Sequence, residues 1–253
     1  MFVDRSRVMF CGDVHGSVRH FEFLVGEAAE CGVSLLVACG DFGFWPHMRF
    51  GVEFLERVDG LCERFGVDVL WVDGNHENHD VLDELRGEFG DDAPIATSVR
   101  SWWLPRGCVT TVGELSVMGY GGAWSVDWRH RVKGVTWWEQ ELIDAEHVDA
   151  LPCDRDVDVL VTHETPLSSE RGMLSYKDDY WDSVQQRRLM TDVVASMKPR
   201  AVFSGHHHVR ATFRAGTPEH PLVNVLGRDD SGADSFFVLD ASRVGLAELC
   251  GGV

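Results

Sequence analysis

Five short segments hold the side chains able to do chemistry: Gly12-Asp13-Val14-His15-Gly16, Gly40-Asp41, Gly74-Asn75-His76-Glu77, His163 and Gly205-His206-His207-His208. Taken singly each is ordinary, since an Asp after a Gly is usually a turn residue and a lone His usually a structural one. Together they make a donor set for two metal ions. A pair of divalent cations about 3.5–4 Å apart can clamp the attacking and leaving oxygens of a phosphate ester. Imidazole with carboxylate suits Mn, Fe, Zn or Ni better than Ca or Mg. No thiolate belongs to the set, which argues against a structural zinc site.

Two close cations need an anionic ligand between them, and Asp41, alone at the end of its own strand, is the natural bridge. The expected ligands of one metal are Asp13, His15, Asp41 and His208, and of the other Asp41, Asn75, His163 and His206. Manganese is the first expectation for the pair.

These segments, in this order, closely resemble the calcineurin-like metallophosphoesterases, whose motifs run G-D-x-H-G, G-D, G-N-H-[DE], H and G-H-x-H. The resemblance spans residues 8 to 208 and fills every ligand position. It implies an α/β fold of two packed mixed β-sheets flanked by helices, a dinuclear centre and phosphoester hydrolysis by a metal-activated hydroxide. It also implies that His76 faces the leaving-group oxygen as its proton donor, a role typically worth ~10²–10⁴-fold in rate. Glu77 stands where the family often has Asp, and is expected to orient that imidazole from a longer arm.

The hydrophobic pattern supplies elements to position these residues. Arg7 to Gly12, Val33 to Cys39 and Val67 to Val72 are apolar runs ending at ligand segments, each read as a buried strand. Between them, Phe21 to Ala29 and Phe50 to Phe65 repeat apolar residues at helical spacing. The resulting β-α-β-α-β order builds a parallel sheet, with ligand groups beyond its C-terminal strand ends. Short strands follow at Val99–Leu104, Cys108–Val112 and Leu115–Tyr120, then Val157–Thr162 before His163. A helix around Val184–Met197 precedes the strand Ala201–Ser204, and Ala211–Phe213, Leu222–Val225 and Phe236–Leu239 read as closing strands. With no linker or repeat to mark a boundary, residues 1–253 read as one domain.

Six of the nine Trp lie between Trp102 and Trp138. Within that stretch, Tyr120 to Arg131 contains a Gly-Gly-Ala-x-Ser-x-Asp segment like that of small bacterial and phage members of the family. Two readings stay open: a Trp-rich minor core, or a substrate wall where Trp124 or Trp128 stacks on a base and Arg131 grips a phosphate. Residues 166–182 likewise read as a lid or as an ordinary surface loop. His20, His47, His79, His130, His147, His207 and His220 are assigned to surface or packing, His207 pointing away from the metals because alternate residues of an extended segment face opposite sides.

Lys and Arg number 23 against 41 Asp and Glu, a net charge of −18. Such a surface repels long nucleic acid, so the expected partner is a small phosphorylated substrate. No stretch is long and apolar enough to span a membrane. Seven cysteines without a C-x-x-C pair suit a reducing cytoplasm. The leading expectation is a phosphodiesterase for small nucleotides, including cyclic ones with the 2′,3′ form favoured. The alternatives are a phosphomonoesterase or protein Ser/Thr phosphatase, disfavoured because Asp41 is followed by Phe42-Gly43-Phe44-Trp45 instead of an arginine-bearing motif, and a non-catalytic metal-binding scaffold.

Overall fold

A computed structural model describes residues 2–3, 5–152, 156–167, 180–214 and 221–251. The chain begins β1 (Arg7–Cys11), α1 (Val18–Glu30), β2 (Leu35–Ala38), α2 (Arg49–Phe65), β3 (Asp68–Trp71) and α3 (His79–Phe89). It continues β4 (Ile95–Ala96), β5 (Ser101–Trp103), β6 (Val109–Val112), β7 (Leu115–Tyr120), α4 (Ala145–Asp149), β8 (Val159–Thr162) and α5 (Trp181–Met197). It closes with β9 (Ala201–Ser204), β10 (Ala211–Arg214), β11 (Leu222–Val225), β12 (Phe236–Asp240) and α6 (Arg243–Gly251).

The strands form two six-stranded sheets, ordered β12-β1-β2-β3-β5-β4 and β10-β11-β9-β8-β7-β6. Each has four parallel strands at its centre and one antiparallel strand on either edge. Strand alternation sets the layers. Val8 and Phe10 of β1 enter the core shared with Val117, Val161 and Phe203 of the second sheet, where Phe10 stacks on Phe203 with ring centroids 3.8 Å apart. Met9 and Cys11 turn the other way, to Phe21, Leu24 and Val25 of α1 and to Phe54 and Val58 of α2. On the far side Leu160 and Val202 pack with Met190, Val193 and Met197 of α5. The order is helix, sheet, sheet, helix, as the resemblance implies.

Helix α1 starts where the Ser17 hydroxyl accepts from the His20 amide and buries the stripe Phe21, Leu24, Val25 and Ala28. That stripe braces β1 and β2, and emptying it by Phe21→Ala costs about 3–5 kcal/mol. Helix α3 was not anticipated. Only His79 and Leu82 of its residues are buried, too few to show periodicity, and the helix is held by the Asn78 side chain accepting from the amides of Asp80 and Val81. Helices α4 and α6 and the two-residue β4 also lay below what the pattern reveals.

The parallel strands β1, β2, β3, β8 and β9 all end beside a candidate ligand. The loop after β7 carries Ser125 to the same place.

Candidate metal centre

The side chains from these strand ends converge. Nε2 of His208 lies 2.9 Å from Oδ2 of Asp13, and Nε2 of His15 lies 3.3 Å from the same His208 nitrogen and 3.6 Å from Asp13. On the other side of Asp41, Nε2 of His163 is 3.3 Å from Asp41 Oδ2 and 3.0 Å from Asn75 Oδ1. The His206 ring sits 4.9 Å from the His163 ring. Asp41 Oδ2 also faces His15 Nδ1 at 3.8 Å, so this one carboxylate touches both groups of expected ligands. All seven expected ligands are thus brought together.

The arrangement fits cations better than it fits itself. Asp13 Oδ2 is buried without a well-formed hydrogen bond. His163 Nδ1 is 2.8 Å from the Cys39 carbonyl, which fixes the proton there and aims the Nε2 lone pair at two more acceptors, Asp41 and Asn75. Without a metal a proton must fill that gap: burial pulls the His163 pKa down, but the charges of Asp41 and Asp13 overcome it and raise it to about 10. Asp41 is buried too, which pushes its carboxyl up, yet His163 and His76 hold it well below the usual carboxylate range. A divalent ion would relieve both compromises, and holding the ring tautomer through a backbone carbonyl is how metal-ligating histidines are commonly oriented.

Backbone and glycines are shaped around this point. His15, Asp41, His206 and His208 all have φ between 47° and 64°, the left-handed region that non-glycine residues enter at a cost of about 1–3 kcal/mol. A Cβ on Gly74 would sit 2.1 Å from Asp41 Oδ1, and one on Gly205 would sit 2.2 Å from Asp13 Oδ1. These glycines let carboxylate and neighbouring loop share the space. Asp41 Oδ1 accepts from the His76 amide at 2.8 Å, and Asp13 Oδ1 from the His206 amide at 2.9 Å.

Above the ligands opens a cavity of about 180 Å³ with Asp41, Asn75, His76, His206 and His208 on its floor and Val126, Asp127 and Arg131 on its wall. The Arg131 guanidinium donates to His76 Nε2 at 2.7 Å and to the Asn75 carbonyl at 3.1 Å, and pairs with Asp127 at 2.7 Å. Burial first, then the Arg131 charge, lowers the His76 pKa to about 4 against the pull of Asp41. Trp124 lies elsewhere, on the wall of a neighbouring cavity of about 340 Å³.

Glu77 departs from its expected role. Its Oε1 accepts from the Gly43 amide at 3.0 Å and its Oε2 from the Gly74 amide at 2.6 Å. It clamps two ligand loops together instead of touching the His76 ring. His207 turns from the cluster, though not by strand alternation, since β9 ends at Ser204 and His206 and His208 have left-handed backbones; its Nε2 lies 2.9 Å from Glu164 Oε1 and 3.2 Å from Thr165 Oγ1. Ser168, Ser169, Arg171, Lys177 and Asp179 of the 166–182 segment fall outside the described residues.

Four further residues support the candidate ligands. Ser125 Oγ accepts from the Asn75 amide nitrogen at 3.0 Å, which aims the Asn75 oxygen at His163. Glu141 is fully buried, and its Oε1 accepts from the Ser125 amide and from Trp137 Nε1. Glu164 stands behind His206 and His207, its Oε2 3.7 Å from His206 Nε2. Asp73 is buried against Arg106, which donates to it through Nε and a terminal nitrogen. Of these, only Glu164 stands directly after a candidate ligand; Ser125 and Asp73 meet Asn75 and Arg106 across 50 and 33 residues, and Glu141 joins Trp137, four residues before it, to Ser125.

Residues 6–210 match the calcineurin-like phosphoesterase family. No curated protein matches the chain. Among solved structures, protein TT1561 of Thermus thermophilus is similar over 94% of this chain and 100% of its own, with 13% identity and a TM-score of 0.55. A dimetal phosphatase from Danio rerio is similar over 94% and 93%, with 12% identity and a TM-score of 0.52. At such identities the likeness speaks for the fold, while the family match covers most of the chain and all seven expected ligands. The chain belongs to the calcineurin-like phosphoesterases and is a metal-dependent hydrolase of phosphoric esters.

Proposed function

We propose that the chain hydrolyses phosphodiesters of small nucleotides, cyclic nucleotides among them, with the 2′,3′ form at least as good as the 3′,5′ form because its five-membered ring is strained. The observation that carries this reading is the Asp127–Arg131 pair. Among the described residues, the cavity wall beside the ligands offers one guanidinium, and a carboxylate 2.7 Å away already balances it. Apart from the metals, such a wall adds no net positive charge, which suits the single charge of a diester better than a monoester dianion.

Asp13, His15, Asp41 and His208 would hold one ion, and Asp41, Asn75, His163 and His206 the other, with manganese favoured by the donor set. When bound, the pair supplies Lewis acidity toward the phosphoryl oxygens and the attacking water. Arg131 exchanges its bond with His76 for one to a phosphoryl oxygen, which frees His76 Nε2 to face the leaving oxygen. The substrate's negative charge raises the imidazole pKa from its depressed value, so His76 takes up a proton in the complex and passes it to the departing alkoxide. The described cysteines are all free, which supports a cytoplasmic setting.

The test is a substrate screen of the purified, manganese-loaded protein against phosphomonoesters, linear diesters and cyclic nucleotides. Exhaustive dialysis against EDTA should abolish turnover, and Mn²⁺ should restore it best. Values of kcat/KM for monoesters well above those for every diester and cyclic nucleotide would overturn the diester reading.

A further inference from the structure

The loop after β7 has two faces. Val126, Asp127 and Arg131 look onto the ligand cavity, whereas Trp124 and Trp128 look into the neighbouring cavity, which Trp137 also lines. Its volume of about 340 Å³ lies within the usual range of small-ligand sites. Trp128 and Trp137 are tilted 35° with centroids 5.6 Å apart, and Trp124 is held from behind by Tyr180 at 5.4 Å. Resting on the proposed nucleotide reading, we infer that this aromatic cavity is the base subsite of the enzyme and that it selects guanine.

Three indoles provide stacking surface that any base accepts, so the choice among bases falls to the polar groups. The carboxylates of Glu139 and Asp182 line the cavity, and both only accept. Glu139 is paired with Lys133, but both partners are largely exposed, and such a pair is weak enough to exchange. Gln185, on the first turns of α5, also lines the cavity; its amide nitrogen is enclosed and without a hydrogen-bond partner, and it meets an acceptor in the cavity once the side chain turns toward it. Guanine presents two adjacent donors, N1–H and the 2-amino group, beside the acceptor O6. A carboxylate accepts from that donor pair while Gln185 donates to O6. Adenine places the acceptor N1 where guanine has a donor, so the same carboxylate repels it. A quaternary ammonium group would suit the indoles and carboxylates but would leave the Gln185 amide unsatisfied.

Calorimetric titration of the manganese-loaded protein with guanosine, adenosine, cytidine and choline decides the matter. Guanosine should bind at least about tenfold more tightly than the others, and it should compete with a cyclic guanosine diester. Trp128→Leu and Gln185→Leu, each shown to be folded by circular dichroism and thermal melting, should each weaken guanosine binding, the former by roughly tenfold. No guanosine binding, equal affinity for all nucleosides, preference for choline, or guanosine inhibition that is not competitive would each overturn the assignment. A nucleoside carries no phosphate. Failure here therefore leaves diester hydrolysis standing, while failure of the substrate screen is seen without reference to any base.

Discussion

His163 and His76 flank one carboxylate, Asp41, yet their surroundings drive them in opposite directions. On the floor of the site, His163 is 3.3 Å from Asp41 and is pushed up to about 10; on the rim, His76 is 4.0 Å away and is brought down to about 4. Burial lowers both, so distance from solvent does not separate them. Company does: His163 faces the additional charge of Asp13, whereas His76 faces Arg131. The floor is rich in negative charge, which favours cations, and on the rim the guanidinium keeps its imidazole uncharged. The same residue type is held charged or neutral according to its second neighbour.

The strongest way to break this contrast is Asp41→Ala, which removes the group common to both regions. Loss of both metals by elemental analysis is expected, with activity falling by more than the roughly 10–100-fold seen when outer partners of a metal site are removed. Retention of both ions would show that Asp41 joins neither pair. His76→Ala should touch the rim alone. Turnover of alkyl diesters should fall by about 10²–10⁴-fold, that of nitrophenyl esters much less because their leaving oxygen hardly needs a proton, and metal content should hold. Equal losses on both substrate types would remove His76 from the acid role.

Two milder changes ask whether the wall is tied to the floor. Glu141, behind Ser125, has its carboxyl raised to about 7, chiefly by burial. Its folded pKa exceeds the ordinary 4.5, so between those values the native state holds a proton that the unfolded chain has released. Stability is therefore fullest below about pH 4.5 and declines as pH rises through 7, by on the order of 3 kcal/mol. Thermal melts of Glu141→Gln should lose that decline; an unchanged pH slope would mean that Glu141 is already ionised in the native protein. Ser125→Ala, which frees the Asn75 amide to turn, should weaken metal affinity by about 10–100-fold. Unchanged affinity in a metal titration would detach the wall from the floor.

The floor was legible in the sequence and much of the rim was not. Asp13, Asp41 and Asn75 follow buried strands that announce themselves as short apolar runs, and parallel strand ends gather by topology. Strands Leu115–Tyr120, Ala201–Ser204 and Leu222–Val225 fell on their expected bounds for the same reason. Arg131 was singled out from the sequence, but not its hydrogen bond to His76. The task of Ser125 is invisible in its own segment, because its partner Asn75 lies 50 residues away. The family's Asp at the Glu77 position suggests a partner in the His76 ring, whereas two backbone amides on separate loops are its partners. Trp124 was grouped with Arg131, although the loop sends the two side chains into different cavities.

Spreading the candidate ligands from Asp13 to His208 also sets a clock on the making of the enzyme. Chains are synthesised at about 5–20 residues per second, so on the order of 10–40 s separates the first ligand from the last. Throughout that interval the nascent chain carries Asp13, His15, Asp41 and Asn75 without the histidines that follow β8 and β9. An ion met early finds only part of its coordination shell. With these residues as ligands, metal loading would belong after synthesis of both sheets, and bound ions would stabilise only the finished fold, in proportion to the logarithm of the metal concentration.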